Sequence, residues 1–440
     1  MLERCEAYRD SGVEWIGEVP EHWGVSKFAF AGTTSLGKML TPNPETEDDQ
    51  LLPYLCAANV KESGIVLEQL KEMYFSPKDG DKYMLMCSDL VVVEGGNVGL
   101  SHVWTGGEMR IQNALHRFRA NEQYVAEYLK YSLDVAKNAG YIDLVCNKAT
   151  IAHFTSEKLM ETPVCCIPLC EQRAIADYLD EKTAEIDSIV SETERSIELL
   201  REYRKSVISE AVTKGLDPDA PMKDSGIEWI GEIPETWRMK RTRYFVSSFR
   251  KGFGITKDEI SDEGDIFCVR YGEIYSKYNE KIVEIQSKTL KETIAAPQRI
   301  VKGNLLFACT GELVDEIGKN VLFDSDYPCL AGGDIIVADH EQNPGFLNYS
   351  LGSYVAQCQK SFGKAKLKVV HIAANELGNI RMPIPPLSEQ QFIADYLDTK
   401  TSEIDALIAD KERQVELLKE YRKSLISEAV TGKFKVPGVS

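Results

Sequence analysis

"ELLREYRKSVISEAV" occupies Glu198–Val212, and "ELLKEYRKSLISEAV" occupies Glu416–Val430. Each is the tail of a longer duplicated segment. "PLCEQRAIADYLDEKTAEIDSIVSETERSIELLREYRKSVISEAVTKG" begins at Pro168, and "PLSEQQFIADYLDTKTSEIDALIADKERQVELLKEYRKSLISEAVTGK" begins at Pro386. Most positions agree across this span, which marks an internal repeat. A second repeated element precedes each unit: "DSGVEWIGEVPEHW" from Asp10 and "DSGIEWIGEIPETW" from Asp224. The chain therefore reads linker, variable region, repeat, then linker, variable region, repeat.

Both long repeats are helical by pattern. Ile175, Leu179, Ile186, Ile189, Ile197, Leu200, Val207 and Ala211 recur at three- and four-residue steps, as do Ile393, Leu397, Ile404, Leu407, Val415, Leu418, Leu425 and Ala429. Pro168 and Pro386 mark the starts, and the glycine of "TKG" or "TGK" marks each end. Ser388 with Gln391 carries the signature of a capping box, whereas Cys170 in the first copy caps poorly. A helix apolar along one narrow stripe needs a long partner, and the obvious partner is its twin.

The variable regions look mixed. "SDLVVVEGG" and "GNLLFACTG" read as short buried strands entering glycine turns. "NEQYVAEYLKYSLDVAKNAG" and "NPGFLNYSLGSYVAQCQK" read as helices in corresponding places. The expected fold class is α+β: two mixed α/β domains joined by two long helices that pair as an antiparallel coiled coil, in a pseudo-twofold tandem repeat. The expected boundaries are 1–23 linker, 24–167 first domain, 168–215 first helix, 216–237 linker, 238–385 second domain, 386–433 second helix and 434–440 tail.

At 440 residues the chain is too long for one ordinary core. Its 43% hydrophobic and 27% charged content is that of a soluble globular protein. No apolar run approaches the roughly 18 residues of a membrane span, and "MLERCEAYRDSG" lacks the apolar core of a secretory signal. Eleven cysteines without a CxxC pair read as reduced thiols of a cytoplasmic protein. The net charge of −18 opposes nucleic acid at first sight. The acid, however, sits largely in the repeats and linkers, while "RMKRTRYFVSSFRK" (Arg238–Lys251) and "GKAKLKVVH" (Gly363–His371) are basic.

No catalytic constellation emerges. "NPGF" (Asn343–Phe346) resembles an amino-methyltransferase motif, but Gly345 replaces its proline and no FxGxG loop for S-adenosylmethionine accompanies it; a turn capping a helix is the better reading. "GELVDEIGKN" (Gly311–Asn320) is too long for a phosphate-cradling loop and ends in Asn where a hydroxyl would meet Mg²⁺. His22, His102, His116, His153, His340 and His371 form no metal-ligand set. "PDAPMK" lacks the acid-x-Lys of a nuclease. Trp15, Trp23, Trp229 and Trp237 read as packing ties clamping each linker to a helix end, in preference to platforms for stacked bases.

The order and duplication of "EWIGE[VI]PExW", "PLxEQxxIADYLDxKT" and "ELLxEYRKSxISEAV" resemble the specificity (S) subunit of type I restriction-modification enzymes, over essentially the whole chain. The resemblance implies a non-catalytic subunit of a phage-defence complex. Each variable region would be a target recognition domain reading half of a bipartite site in double-stranded DNA. The helices would set the gap between half-sites and dock two modification (methyltransferase) subunits, and two restriction (motor-nuclease) subunits would complete the complex. It implies no cofactor in this chain; S-adenosylmethionine, ATP and Mg²⁺ would belong to the partners. Competing readings are a coiled-coil adaptor whose variable domains bind proteins, and a single-chain methyltransferase or nuclease.

Base reading calls for Arg or Lys against guanine and Asn or Gln against adenine, on loops at one edge of each variable region. In the first region Lys38, Asn97, Ser101, Gln112, Asn113, Asn147 and Lys148 fit that requirement. Arg250, Lys251, Arg270, Tyr271, Thr310, Lys364, Lys366 and Lys368 are their counterparts by order in the second. The repeated "EYRK" segments, Glu202, Tyr203, Arg204, Lys205 and Glu420, Tyr421, Arg422, Lys423, are expected contacts for the modification subunits.

Overall fold

The structure is a computed structural model that describes residues 4–146, 152–290, 299–311, 313–364 and 370–437. It forms two compact units, Met1–Thr193 with Arg413–Ser440, and Glu194–Glu412. Each long helix thus contributes to both.

In the first unit, β1 (Gly32–Leu36), β2 (Gln50–Leu55), β3 (Lys71–Phe75), β4 (Met84–Leu85), β5 (Leu90–Val93), β6 (Ser101–Val103), β7 (Met109–Ile111) and β8 (Leu115–Ala120) make two sheets. Their orders are β6-β5-β8-β1 and β3-β2-β7-β4, with β2 and β7 parallel. The apolar run Leu90–Val93 sits inside because both its faces are covered. Leu90 and Val92 join one core with Phe118 and Tyr128, while Val91 and Val93 join another with Leu55 and Ile111. The two-residue period of a strand makes that division unavoidable.

The second unit repeats the plan with β9 (Val246–Lys251), β10 (Ile266–Val269), β11 (Ser287–Thr289), β12 (Arg299–Ile300), β13 (Leu305–Ala308), β14 (Asn320–Phe323), β15 (Cys329–Ala331) and β16 (Ile335–His340). The sheet orders are β9-β16-β13-β14, extended by Lys281–Ile282 parallel to β14, and β11-β10-β15-β12, with β10 and β15 parallel as β2 and β7 are. Leu305 and Phe307 face one core, Leu306 and Ala308 the other.

Each variable region is closed at its neck by its own ends. Gly24–Lys27 pairs antiparallel with Pro163–Cys166, and Arg238–Arg241 pairs with Arg381–Ile384. Matching buried polar ties then fasten each region to a long helix. Tyr131 donates its hydroxyl to Asp180 (2.5 Å) beside Thr183, and Tyr349 donates to Asp398 (2.8 Å) beside Thr401. Gln172 bonds the backbone at Gln123, Val125 and Ile167; Gln390 does the same at Asn343 and Pro385. A buried amide with its donors and acceptors filled fixes one orientation, because every alternative strands a polar group. This explains the Gln of the repeated "EQ" pair, to which the sequence assigned no role.

The long helices run Leu169–Lys214 and Leu387–Val430. Gly215 and Gly432 follow them at φ +77° and +69°, the left-handed conformation that glycine tolerates best. Ser388 does not cap: the second helix already includes Leu387, and the Pro386 carbonyl accepts from the Glu389 and Gln390 amides. The buried stripe also departs from expectation. Ile189 and Leu407 are exposed, and Val190 and Ile408 take their places. The inward positions become 186, 190, 193, 197, 200, 204, 207 and 211, repeated at 404, 408, 411, 415, 418, 422, 425 and 429, none of them exposed. Steps of four and three are a heptad stripe. Val190 was the weaker choice by pattern because Ile189 is more apolar, yet only Val190 keeps the heptad phase.

"NPGFLNYSLGSYVAQCQK" forms two helices, Pro344–Gly352 and Tyr354–Ser361, in place of one. Ser353 breaks the run by capping the second with its side chain (3.4 Å to the Ala356 amide). Asn343 caps the first (2.8 Å to the Phe346 amide), so "NPGF" is the helix-capping turn expected of it.

Trp23 and Trp237 are buried packing ties. The Trp23 indole donates to Glu171 (2.9 Å), joining linker to helix start. Trp15 is half-buried, and Trp229 stays 54% exposed. Trp237→Ala is accordingly expected to cost about 3–5 kcal/mol, as for other large-to-small core changes. Trp229→Ala should cost under about 1 kcal/mol. Hydrogen exchange of the second unit's strands measures both; equal loss of protection would remove the distinction.

Candidate nucleic-acid interface

At one edge of the first unit's sheets, backbone hydrogen bonds gather segments from five places in the chain. The Lys38 amide donates to Ile111, the Asn113 amide to Lys38, the Gln112 amide to Leu55, the Glu94 amide to Ala114, and the Phe154 amide to Glu94. Gly37 is required there, because a Cβ would lie 2.3 Å from the Gln112 carbonyl oxygen. The rim therefore carries the side chains of Lys38, Cys56, Gln112, Asn113 and His153.

The second unit reproduces four of these five bonds. The Phe253 amide donates to Ala331, the Gly332 amide to Val269, the Cys309 amide to Asp334, and the Ile372 amide to Cys309. Gly252 holds the place of Gly37, with a Cβ landing 2.1 Å from the Gly332 oxygen. Yet the side chains differ. Phe253 stands for Lys38, Arg270 for Cys56, Gly332 and Gly333 for Gln112 and Asn113, and Thr310 for Gly95. His371 alone matches His153, and its ring lies 3.1 Å from the Thr310 hydroxyl.

The expected contact residues distribute unevenly over this geometry. Gln112, Asn113, Arg270, Tyr271 and Thr310 lie on the rim or next to it, all at least partly accessible. Lys251 is exposed beside it and has no ion-pair partner among the described residues. Lys38 is on the rim but already neutralised: its ammonium is 2.6 Å from Asp79 and over the Phe75 ring, with 14% of the side chain exposed. Arg250 is likewise engaged, bidentate with Asp339 at 2.8 and 2.9 Å, which holds that carboxyl below its usual range. Lys364 bonds Glu376 (2.7 Å) and the His371 carbonyl (2.6 Å). Asn97 is already engaged, donating to Glu62 (3.2 Å) and accepting from Lys137, which ties its turn to a hairpin and a helix. Ser101 is corrected outright: it is fully buried in β6 and cannot meet a ligand. Asn147, Lys148, Lys366 and Lys368 lie outside the described residues. The order-based pairing of Lys38 with Arg250 or Lys251 also shifts, since the hydrogen bonds set Lys38 against Phe253.

On the helices, Glu202, Tyr203, Lys205, Glu420, Tyr421 and Lys423 are exposed. Arg204 and Arg422 are not outward contacts. Both occupy the inward stripe: Arg204 pairs with Asp405 (2.8 Å) and Glu280 (3.0 Å), and Arg422 lies 2.9 Å from Asp187. The two pairs are equivalent under the repeat, since 187 and 405, like 204 and 422, differ by 218. Arg201 adds a bond to Glu412 (2.6 Å).

Among the described residues no cluster of His, Cys, Asp or Glu could hold a metal ion, and no helix is long and apolar enough to cross a membrane. The molecule is thus a duplicated α+β frame whose two rims differ in chemistry, built on two long helices. Residues 234–417 match the family model of the type I restriction modification DNA specificity domain. The chain is 23% identical over 432 residues to the type I restriction enzyme MjaVIII specificity subunit of Methanocaldococcus jannaschii, covering 96% of this chain and 95% of that one. It is 21% identical over 401 residues to the EcoBI specificity subunit of Escherichia coli, covering 85% and 81%. A chain solved for complex assembly and conformational transition of the type I R-M system superposes at TM-score 0.70 with 13% identity, over 94% of this chain and 98% of that one. The HsdS subunit of Thermoanaerobacter tengcongensis superposes at 0.54 with 14% identity, over 94% and 98%. The chain is similar to type I restriction enzyme specificity subunits over nearly its whole length, as its repeated motifs suggested.

Proposed function

We propose that this chain is the DNA-recognition subunit of a type I restriction-modification complex, each variable region reading one half of a bipartite site and the chain itself catalysing nothing. The observation that carries the reading is the rim. One hydrogen-bonded frame occurs twice with almost every side chain changed, which suits two readers of different base sequences. Gln112 and Asn113 suit adenine; Arg270 suits guanine. S-adenosylmethionine, ATP and Mg²⁺ serve the modification and restriction subunits, in a cytoplasmic assembly. The exposed Glu202, Tyr203, Lys205, Glu420, Tyr421 and Lys423 are the docking contacts for two modification subunits. Methylation of a randomised duplex library by the assembled complex tests the reading: two conserved blocks at a fixed gap support it, and a single contiguous block defeats it.

The helices pair antiparallel as a coiled coil in this reading and measure the gap. The heptad stripe and the Asp187–Arg422 and Arg204–Asp405 pairs support it. Inserting seven residues near Ser191 and seven near Ala409 keeps each stripe in phase and lengthens each helix by about 10 Å. The preferred gap should grow by roughly three base pairs, given ~3.4 Å per step of a strand. The same library reports the result, and a gap unchanged from the parent would show that the helices only dock partners.

A further inference from the structure

The second unit contains an open cavity of about 400 Å³ whose counterpart in the first unit is covered. It is lined by Ile227, Glu228 and Trp229 from the linker, by Gln359 and Phe362, and by Asn379–Arg381. Trp229 is 54% exposed and Phe362 83% exposed. Both are apolar surfaces that a folded chain ordinarily covers.

The first unit shows what covers the equivalent tryptophan. Trp15 holds the place of Trp229 in the repeated linker, and the Tyr141 ring lies over it at 5.8 Å between centroids, tilted 38°. Under the 218-residue repeat Tyr141 corresponds to Gln359, and the reason for the exchange is local. Pro163 of the first unit has no amide proton, whereas its counterpart Arg381 has one that needs an acceptor. Gln359 supplies it: its side-chain oxygen accepts from the Arg381 amide (2.8 Å), and its side-chain nitrogen donates to the Arg381 carbonyl (2.9 Å). The Gln359 amide is thereby turned to the backbone and leaves Trp229 uncovered. The wall differs as well. Beside Tyr141 stands the ion pair of Lys27 with Glu161, and in the second unit the same positions hold Arg241 and Asn379, 3.5 Å apart. A carboxylate has become an amide that can donate to or accept from a phenol.

We propose that this cavity is a docking site for a tyrosine side chain of a partner protein, seated on Trp229 as Tyr141 is seated on Trp15. The ring would stack on the indole, Phe362 would flank it, and Asn379 would meet its hydroxyl. Among the described residues the site occurs in the second unit and not in the first, so it distinguishes the two toward any partner that carries such a ring.

The test uses the full chain labelled with 5-fluorotryptophan, which gives five fluorine resonances, one per tryptophan. Trp229→Phe assigns the relevant one. N-acetyl-tyrosinamide is expected to shift the Trp229 resonance saturably and leave Trp15, Trp23 and Trp237 unmoved, while N-acetyl-leucinamide does little. Phe362→Ser should weaken the response at least threefold. Gln359→Tyr, which restores the internal cover, should abolish it. No saturable shift at Trp229, or an equal shift at Trp15, overturns the proposal. So does tighter binding of deoxyadenosine monophosphate, which would make the cavity a nucleobase site. A Trp229 resonance that moves with protein concentration alone also overturns it, because the occupant would then be a second copy of this chain.

Discussion

Exchange of Gly24–Cys166 for the matching region of a relative is expected to replace one half-site completely and leave the other untouched. The physical ground is the neck. Gly24 pairs with Cys166 and Lys27 with Pro163, so the region leaves and rejoins the chain at one hydrogen-bonded point. Nothing at the graft junction needs to stretch, and the helix keeps its receptors for the incoming domain, Asp180, Thr183 and Gln172. A donor region must bring the hydroxyl that Tyr131 supplies; without it a buried polar socket is left empty, at about 1–3 kcal/mol. Each mismatched base pair in a specific site costs about 1–3 kcal/mol, so the old half-site should fall to nonspecific binding. Sequencing of methylated sites reads the outcome directly. Loss or change of both halves together would defeat the modular reading.

Replacement of Lys360 by methionine is expected to stabilise the second unit and to flatten the dependence of its stability on pH. This ammonium is completely buried. Its partners are neutral: the Gly318 carbonyl (2.7 Å), the Asn320 side-chain oxygen (3.1 Å) and the Phe307 ring (5.5 Å). Burial pushes its pKa down to about 7. The unfolded chain holds the proton up to the ordinary lysine range near 10.4. Between those values the unfolded state binds more protons, so stability rises with pH from about 7 toward 10. Below about 7 the full penalty stands, ~4 kcal/mol from a shift of that size. Methionine removes the penalty but strands the Gly318 carbonyl and the Asn320 side-chain oxygen, at about 1 kcal/mol or more each, so the net gain at pH 7 is at most about 2 kcal/mol. At pH 10 the gain should vanish. The repeat supplies a precedent, since Ile142 fills the corresponding position over Gly99 as Lys360 does over Gly318. Urea unfolding at pH 6, 8 and 10 checks the prediction; parallel curves for the two proteins would refute it.

The helices, the duplicated frame and the packing role of Trp23 and Trp237 were legible in the sequence because local period and repetition encode them. The occupancy of individual charges was not. Lys38 finds Asp79 and Arg250 finds Asp339, partners 41 and 89 residues away that only the sheet topology brings near. Arg204 and Arg422 belong to the faithfully repeated "EYRK" segments, whose duplication suggests an outward contact; placing them inward requires the heptad phase, which the apolar Ile189 and Leu407 obscure. Ser101 was hidden for a different reason. Its strand is three residues long, too short for alternation to show which face is buried. The rim residues Phe253, Gly332, Gly333, His153 and His371 escaped because their neighbours across the sheet edge carry the signal. A sequence pattern pairing Gly37 with Gly252 would have set the correct register.

The first unit is made of two segments that flank the second unit in the chain, and that interlacing sets the order in which a ribosome can finish each unit. Phe434 and Val436 belong to the same core as Trp23, Phe28 and Tyr128. Domains generally fold as they emerge, the earliest first. Here the order inverts: Glu194–Glu412 contains everything the second unit requires, while the region synthesised first must wait for the final residues. A premature stop shortly before Leu425 would thus leave the later-encoded unit whole and cripple the earlier one. Damage after Glu412 is felt as a defect of the unit whose greater part is encoded before Glu194.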